Sequence, residues 1–311
     1  MNSIIITGAN SGIGFQCALH LAKIAPKEQI ILACRNEKSA NEAIAKINKI
    51  TGHTHLKFIP LELSSFQSIK GFRELILNDE NNKIIAIYNN AGIQIIDKTQ
   101  YTLDGIESTF GVNHLGPFYL TLLLLPFMES HASITFTSSG THDPFQKTGI
   151  APPVYKDALS LVNPVETSEN PNIVGQRRYS TSKLCNILTV YELQNRLSNT
   201  FIRVNAFDPG MVPGTGLART YSPFLRFIWK NIMPVLTLFQ KNTNTPQVSG
   251  KNLANLGYAK EYSLFNGKYF EGKKIIKSSE DSYNKEYQLD LWNTSVRLTG
   301  ISQQETIVKI D

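Results

Sequence analysis

SIIIT (3–7) and the overlapping ITGANSGIG (6–14) decide the fold, because together they form a short apolar run that leads directly into a glycine-rich turn. The turn has the spacing GxxxGxG and opens a helix that the sequence predicts over 12–24. Glycine permits a tight turn and a close backbone approach, and the free N–H groups of a helix N-terminus attract anions. The pattern predicts a strand–turn–helix unit that binds a pyrophosphate. A turn that only connects strand and helix is the alternative.

Short β-branched runs alternate with longer helical stretches beyond this turn. Strands are predicted at 3–7, 29–33, 55–60, 83–88, 132–138 and 201–208, and helices at 12–24, 37–50, 65–79, 105–129 and 177–198. This alternation implies βαβ units, a parallel sheet and right-handed crossovers. The expected fold class is α/β, a doubly wound parallel sheet of Rossmann type that forms a single domain over 1–311.

Two stretches interrupt the alternation. Residues 141–176 contain several prolines and little periodicity, which is long for a loop, so the segment is either a functional cover or partly disordered. Within it, PPVYKDALSLVNP (152–164) predicts a short helix. Residues 211–245 become apolar and aromatic, and a substrate lid, a membrane-touching helix and ordinary core are all compatible with them.

Composition excludes several classes of function. The chain has 31 basic and 25 acidic residues, a net charge of +6, and no long Lys/Arg run, so nucleic acid is not an expected partner. A mild positive field suits an anionic ligand or an anionic membrane surface. No HExxH and no Cys/His cluster appear, so no metal is expected.

Cysteine usage and hydropathy predict a cytoplasmic protein. Cys17, Cys34 and Cys185 lie far apart and suggest no disulfide framework. The N-terminus lacks the basic region of a signal peptide. The longest apolar run, 118–128, has about half the length of a membrane-spanning helix and predicts a buried helix.

The second predicted strand ends in ACRN (33–36). An acidic residue at this position binds the ribose 2′-hydroxyl of NAD, whereas an arginine accommodates the 2′-phosphate of NADP. Arg35 therefore favours NADP(H). A solvated loop arginine is the alternative.

RRYSTSKLCN (177–186) places Tyr179 and Lys183 four positions apart, on one face of a predicted helix. Free tyrosine has a pKa of about 10, and a neighbouring ammonium favours the phenolate and lowers that pKa. Such a pair suits acid–base chemistry at a carbonyl or alcohol. Two exposed surface side chains are the alternative.

These motifs, together with NNAG (89–92), Asn113 and the serines 138–139, resemble the short-chain dehydrogenase/reductase family over nearly the whole chain. The branch it resembles contains retinol dehydrogenases and light-dependent protochlorophyllide reductases. That narrower resemblance rests on ACRN (33–36), VNHLGPF (112–118), TSSGTH (137–142), YSTSKLCNILTVYEL (179–193), DPGMVPGTGL (208–217), GKYFEGKK (267–274) and LWNTSVRLTGI (291–301).

The resemblance implies a set of NADP(H)-binding residues along the sheet edge. They are Thr7, Gly8, Ser11, Gly12, Ile13, Gly14, Arg35, Asn36, Glu62, Leu63, Asn90, Ala91, Gly92, Tyr179, Lys183, Pro209, Gly210, Val212 and Thr215. The family usually has an aspartate where this chain has Glu62.

The resemblance also implies four catalytic residues, Asn113, Ser139, Tyr179 and Lys183. Tyr179 would exchange a proton with the substrate oxygen, and Ser139 would orient that oxygen. Lys183 would bind the nicotinamide ribose, and the neighbourhood of Asn113 would hold a water that relays protons through Lys183. The alternatives are a serine that caps its own backbone for Ser139 and a polar core residue bonded to backbone for Asn113.

The expected reaction is hydride transfer between the nicotinamide and the carbonyl or alcohol carbon of a small apolar substrate. Light-dependent reduction of a protochlorophyllide-type pigment is one alternative, although residues 140–178 lack the cysteine that such a reductase would carry. A non-catalytic NADP-binding sensor or scaffold is another. Peripheral membrane contact and a homo-oligomer paired through helices 105–129 and 177–198 stay open, and the insertion at 141–176 would obstruct that pairing.

Overall fold

The computed structural model describes residues 1–77, 83–213 and 242–310. The strands of these residues are β1 (Asn2–Thr7), β2 (Gln29–Cys34), β3 (Leu56–Pro60), β4 (Lys83–Asn89), β5 (Met128–Thr137), β6 (Arg203–Asp208), β7 (Tyr269–Glu271) and β8 (Lys274–Ile276). They form one sheet in the order β3-β2-β1-β4-β5-β6-β7-β8. Neighbouring strands are parallel except for β7 and β8, which form an antiparallel hairpin at the edge.

Helices cover both faces of this sheet. In the described residues they are α1 (Gly12–Ile24), α2 (Glu37–Thr51), α3 (Phe66–Leu77), α4 (Ser108–Phe110), α5 (Gly116–Leu124), α6 (Leu159–Val162), α7 (Pro171–Arg196), α8 (Pro246–Tyr258) and α9 (Lys285–Thr299). Because successive strand residues point to opposite faces, Ile4 and Ile6 pack in the core of α1, α2 and α8, whereas Ile5 packs in the core of α3, α5, α7 and α9. The doubly wound parallel sheet is confirmed.

Local signals set the bounds of the first elements. The strands β1 to β4 each begin and end within one residue of the predicted bounds, and α1 has the predicted bounds. Helix α2 begins after Asn36, whose side chain accepts a hydrogen bond from the Ser39 N–H, and ends at Gly52 in the left-handed conformation. The carboxyl ends of β1 and β2 therefore lie at defined positions on one edge of the sheet.

The helix predicted over 105–129 is instead divided into shorter pieces. A π-helical turn (Gly111–Leu115) lies between α4 and α5, and a 3₁₀ turn (Leu125–Phe127) with Pro126 follows α5. β5 then begins at Met128, four residues before the predicted start. The stretch Ser108–Phe127 is long and apolar enough to cross a membrane, but 83% of its apolar window is buried inside the protein, as in a core helix.

Helix α7 begins at Pro171, six residues earlier than predicted. The Asn170 side chain accepts from the Asn172 N–H, and proline is favoured in the first helical turn, where its missing N–H costs nothing. Every residue from Tyr179 to Leu193 is buried. This long central helix carries the Tyr–Lys pair against the sheet.

Candidate active site

A cleft of about 1130 Å³ opens at the carboxyl edge of the sheet. The residues that follow β1, β2, β3, β4, β5 and β6 all contribute to its wall. Parallel α/β sheets bind ligands at this edge, where the strand order reverses. The order reverses here between β1 and β4, so the cleft lies where the fold provides a ligand site.

The glycine-rich turn forms one end of the cleft. Gly8 and Gly12 have φ values of +67° and +58°, which side chains rarely adopt. A Cβ on Gly14 would lie 2.5 Å from the Gly8 carbonyl oxygen and 2.6 Å from Asn90 Nδ2. Ser11 precedes α1 without a side-chain cap, and α1 has no acidic residue in its first turn. The N–H groups at this helix start thus remain suited to a phosphate.

Thr7 joins the ends of β1 and β4. Its Oγ1 accepts the N–H groups of Asn90 and Ala91 at 3.0 and 2.9 Å, and Asn90 Nδ2 donates to the Thr7 carbonyl at 2.9 Å. A Cβ on Gly92 would lie 3.3 Å from Asn113 Oδ1. The NNAG segment therefore connects the glycine turn to the region around Asn113.

An ion pair lies at the ends of β2 and β3. Arg35 Nη1 lies 3.3 Å from Glu62 Oε2, with the side chains 61% and 29% exposed. Glu62 Oε1 also accepts the Ser64 N–H at 3.1 Å, while Leu63 is buried and Asn36 caps α2. All four predicted residues line the cleft, but the pairing of Arg35 with Glu62 was not predicted.

Tyr179 and Lys183 line the cleft from α7 and are both buried. Lys183 Nζ lies 5.5 Å from the centroid of the Tyr179 ring and donates to the Thr137 carbonyl at 3.0 Å. Burial lowers the pKa of Lys183 to about 8, and the negative charge of Asp208 partly opposes that shift. The alternative of two exposed surface side chains is therefore wrong.

The two serines after β5 have different environments. Ser138 Oγ is buried and donates to the Lys183 carbonyl at 2.8 Å, which ties the strand to α7. Ser139 lines the cleft, and its Oγ accepts the Thr141 N–H at 3.3 Å at the start of the 3₁₀ turn Gly140–His142. Ser139 thus caps its own backbone, as one alternative predicted, in a position beside Tyr179 and Lys183 on the cleft wall.

Asn113 lies in the π-helical turn and behind the cleft wall rather than on it. Its Oδ1 accepts the Ile93 N–H at 2.8 Å, and its Nδ2 donates to the Ile93 carbonyl at 2.9 Å and to Ser182 Oγ at 3.0 Å. Ser182 Oγ donates in turn to the Tyr179 carbonyl. Asn113 is bonded to backbone, and these bonds join the loop after β4 to the helical turn that carries Tyr179.

The insertion lies beside this site. Residues 146–150 and Gln176 line the cleft, and α6 lies within the stretch predicted to hold a short helix. Thr181 Oγ1 accepts the Val154 N–H at 3.0 Å, and Asp290 Oδ2 of α9 accepts the Ala158 N–H at 2.7 Å. The segment is thus attached to α7 and α9 by side-chain hydrogen bonds.

Residues 2–150 match a family model described as short chain dehydrogenase. The chain is 34% identical to human retinol dehydrogenase 13 over 96% of this chain and 85% of that protein, and 30% identical to mouse retinol dehydrogenase 12 over 96% and 86%. The chain belongs to the short-chain dehydrogenase family. It is also 33% identical to a WW domain-containing oxidoreductase from Gallus gallus, over 95% of this chain and 67% of that protein.

A solved structure supports the fold of this short-chain dehydrogenase. A short-chain dehydrogenase from Pseudomonas syringae superposes with a TM-score of 0.57 at 22% identity, over 86% of this chain and 93% of that one. Membership of the family makes the protein an oxidoreductase that uses a nicotinamide cofactor, NAD or NADP, and acts on a small substrate.

The structure brings most of the predicted site residues of this dehydrogenase to one cleft. Two predicted residues, Gly14 and Asn113, support the wall from behind, and Thr215 lies outside the described residues together with most of the predicted lid at 211–245. The remaining predicted catalytic and cofactor-binding residues line the cleft. A dinucleotide pyrophosphate fits this end of the cleft. The glycines leave room for it beside the turn, and no side chain caps the N–H groups at the start of α1.

Some residues of the cleft were not predicted. Asp208 ends β6, is 1% exposed and lines the cleft, and its place before Pro209 and Gly210 at a strand end was the signal that could have identified it. Gln146 reaches the site from the insertion, and a Cβ on Gly140 would lie 2.4 Å from its Oε1. No sequence pattern identifies Gln146. Within the described ranges, no group of three metal-ligating side chains occurs.

Proposed function

We propose that the protein transfers a hydride between NADP(H) and the carbonyl or alcohol carbon of a small apolar substrate, with Tyr179 as the acid/base. One observation carries this proposal. A buried tyrosine and a buried lysine share the cleft wall with Ser139, and Lys183 Nζ lies 5.5 Å from the Tyr179 ring. Buried titratable groups that converge in a cleft are typical of acid–base sites.

The residues divide the chemistry of carbonyl reduction between them. A reduced nicotinamide, when bound, would supply the hydride for the carbonyl carbon. The Tyr179 hydroxyl donates its proton to the carbonyl oxygen. The Lys183 ammonium stabilises the phenolate that remains, because an adjacent positive charge favours the ionised form of a phenol. Ser139 donates a hydrogen bond to the oxygen as negative charge develops there. Alcohol oxidation uses the same groups in reverse.

The preference for NADP(H) is supported by Arg35. Its side chain lies at the end of β2, lines the cleft and is 61% exposed, so the guanidinium is accessible to a ribose 2′-phosphate. Arginine suits a phosphate because its planar N–H groups bind two oxygens at once. The carboxylate of Glu62 beside Arg35 opposes a second negative charge, so the preference is expected to be moderate.

The proposed substrate class is supported by apolar side chains that line the cleft. Ile93, Ile95, Ile150 and Met211 line the cleft, and no acidic side chain except Asp208 and Glu62 does so among the described residues. Two relatives are named retinol dehydrogenases, and retinol is a long apolar alcohol. An apolar aldehyde, ketone or alcohol is therefore the proposed substrate.

The burial of α7 bears on whether the protein forms oligomers. The state of the three cysteines bears on its location in the cell. Residues 179–193 are covered within one chain, in part by the insertion at Ala151 and Val154, so we infer that this helix does not pair between subunits. Cys17, Cys34 and Cys185 are all buried and unpaired, which fits the proposed cytoplasmic location. A monomer in size-exclusion chromatography with light scattering would agree, and a dimer abolished by substitutions on α7 would contradict it.

The test of the proposed reaction is a panel of apolar aldehydes, ketones and alcohols with NADPH or NADH, followed by nicotinamide absorbance in the dark. We expect turnover with NADPH, and a loss of about 10²- to 10⁴-fold in Tyr179→Phe, the range for general acid–base groups. Tyr283→Phe, which changes an exposed tyrosine outside the cleft, is the matched control and retains turnover. Full turnover in Tyr179→Phe would contradict the proposed mechanism. If the wild-type protein binds NADPH but turns over no substrate of the panel, the protein is a sensor or scaffold. If it turns over a pigment, and only on illumination, it is a pigment reductase.

A further inference from the structure

Asp208 is a buried carboxylate that the proposed reaction does not use. Its Oδ1 accepts the Gly210 N–H at 2.8 Å, and its Oδ2 accepts the Tyr269 hydroxyl at 3.1 Å. The backbone of Gly140 packs against the same carboxylate, because a Cβ on Gly140 would lie 3.3 Å from Oδ2. Gly140 follows Ser139, and Gly210 is one of the residues predicted to bind NADP(H). One carboxylate therefore holds the two turns that border the reacting atoms.

Asp208 lies on the strand next to the one that binds Lys183. Lys183 Nζ donates to the carbonyl of Thr137 in β5, and Thr137 pairs with Phe207, the residue before Asp208 in β6. The hydrogen bond of Lys183 Nζ goes to a neutral acceptor, the Thr137 carbonyl, although the side chain is only 3% exposed. A buried ammonium without a counter-charge is costly. Burial lowers the pKa of Lys183 and the charge of Asp208 raises it, so the carboxylate opposes the tendency of this site to lose its proton.

We propose that Asp208 is a positioning residue, whose charge keeps the Tyr179–Lys183 pair protonated while its oxygens fix the turns that carry Ser139 and Gly210. The proposal rests on the proposed function, because Asp208 acts through Lys183 and the two turns and contacts no reacting atom itself.

The charge state of Asp208 depends on the groups that surround it. Burial raises its pKa to about 6, the charge of Glu271 adds to that shift, and the hydrogen bonds from Gly210 and Tyr269 oppose it. The carboxylate is therefore mostly ionised at neutral pH and loses its charge as the pH falls through about 6.

His142 faces the same cluster and contributes no charge near neutral pH. The Ser279 N–H donates to Nε2 at 3.0 Å, so Nδ1 carries the proton and donates to the Ser139 carbonyl at 2.7 Å. The ring packs 4.8 Å from that of Tyr269. Burial lowers the pKa of His142, although the nearby Asp143 partly opposes the shift. Among the described residues that line the cleft, Asp208 and Lys183 are thus the buried charges.

The substitution Asp208→Asn removes the charge and retains the shape. Loss of a negative charge favours proton release from an ammonium and from a phenol, so the first proton leaves the Tyr179–Lys183 pair at lower pH whichever group releases it. The alkaline limb of kcat/KM for carbonyl reduction is therefore expected to move down by about one pH unit, the lower end of what a neighbouring charge does.

Tyr269→Phe is the matched control. It removes one hydrogen bond to Asp208 and leaves the carboxylate ionised at alkaline pH. We expect its alkaline limb to coincide with that of the wild type. If Asp208 acts only through packing and hydrogen bonds, Asp208→Asn and Tyr269→Phe both lower kcat/KM, and neither moves the alkaline limb of its pH profile. That result would contradict the proposal.

A second measurement does not depend on turnover. The NMR resonance of the Lys183 ε-carbon, identified by its absence from Lys183→Arg, reports the titration of Lys183 in the protein alone. We expect a lower midpoint in Asp208→Asn and, in the wild type, a second small inflection near pH 6 as Asp208 loses its charge. That inflection should move to higher pH in Tyr269→Phe. If the wild-type Lys183 titration shows no inflection near pH 6, the proposal is wrong, even if Asp208→Asn does not fold or no substrate is turned over. If only the proposed function is wrong, the inflection and its shift in Tyr269→Phe are still observed.

Discussion

The glycine turn at 6–14 and the insertion at 141–176 border the same cleft but are held in place by different interactions. In the turn, backbone atoms and missing side chains determine the shape, because a Cβ on Gly14 would overlap Gly8 and Asn90. The insertion is attached by single side chains of other elements, among them Thr181 of α7 and Asp290 of α9.

This difference predicts different responses to substitution. A Cβ added at Gly14 has no room, so the backbone of the turn must shift and the geometry of the whole phosphate site changes. A hydrogen bond removed from the insertion costs only about 0.5–1.5 kcal/mol, because other anchors remain. The cofactor end of the cleft is thus fixed in shape, and the substrate end is adjustable.

The largest expected effect is that of Gly14→Ala. Its Cβ lies 2.5 Å from the Gly8 carbonyl oxygen and 2.6 Å from Asn90 Nδ2, so the turn must shift away from its phosphate-binding shape. We expect NADPH affinity to fall more than about tenfold and the free energy of unfolding to fall by about 1–3 kcal/mol, the cost of overpacking. Fluorescence titration and urea denaturation measure the two effects.

Gly71→Ala is the control for this substitution. Gly71 lies in α3, and nothing lies within 4 Å of its added Cβ. Alanine there should raise the free energy of unfolding by about 0.4–1 kcal/mol and leave NADPH affinity unchanged. Wild-type NADPH affinity in Gly14→Ala would remove the proposed contrast between the two ends of the cleft.

The same contrast explains which parts could be predicted from the sequence. Strand periodicity and glycine chemistry act within about ten residues, and they predicted β1, α1, β2 and the glycine turn. The spacing of Tyr179 and Lys183 placed them on one helical face, and in the structure both residues line the cleft.

Features that depend on distant residues were not predicted. The strands β7 and β8 have three residues each, too few to show a period, and they exist because β7 pairs with β6. The ion pair of Arg35 with Glu62 joins residues 27 positions apart. Asp208 receives its partners from Tyr269 and Gly210, and only the folded sheet brings Tyr269 there.

Asp290→Ala tests the adjustable end of the cleft. Asp290 Oδ2 accepts both the Tyr155 hydroxyl and the Ala158 N–H at 2.7 Å, so the substitution removes two hydrogen bonds to a charged acceptor. We expect a loss of about 1–3 kcal/mol in the free energy of unfolding and faster proteolysis within the insertion. NADPH affinity should be unchanged.

Tyr155→Phe is the graded comparison for Asp290→Ala. It removes one of the two bonds and should lose less free energy of unfolding, about 0.5–1.5 kcal/mol. If Asp290→Ala instead weakens NADPH binding as strongly as Gly14→Ala, the two ends of the cleft are not independent.

Low pH should weaken the packing between α7 and α9, the two helices to which the insertion is attached. His114 lies between α7 and α9, with Nε2 2.9 Å from Ser295 Oγ and Nδ1 3.4 Å from Thr189 Oγ1. Burial lowers its pKa from 6.5 to about 3. The unfolded chain therefore binds a proton near pH 6.5 that the folded chain does not, and the stability contributed by neutral His114 is complete above that pH and is lost as the pH falls toward 3.

The expected slope from this one group approaches about 1.4 kcal/mol per pH unit. Urea denaturation of the wild type and of His114→Gln between pH 7 and pH 4 measures it. The variant should be less stable at pH 7 but should lose stability less steeply on acidification. Equal slopes would mean that His114 is protonated in the folded protein.

The smallest expected effect is that of Glu62→Gln, a substitution at the cofactor end of the cleft that breaks the side-chain ion pair with Arg35. An exposed ion pair is worth about 0.2–1 kcal/mol, so releasing Arg35 from Glu62 should raise NADPH affinity by at most about fivefold. NADH has no 2′-phosphate, and its affinity should change less. Glu74→Gln breaks the exposed pair of Arg73 and Glu74 away from the cleft and should change neither affinity. An equal gain for NADH and NADPH would show that Glu62 acts on the dinucleotide as a whole, and Arg35 would then not determine the choice of cofactor.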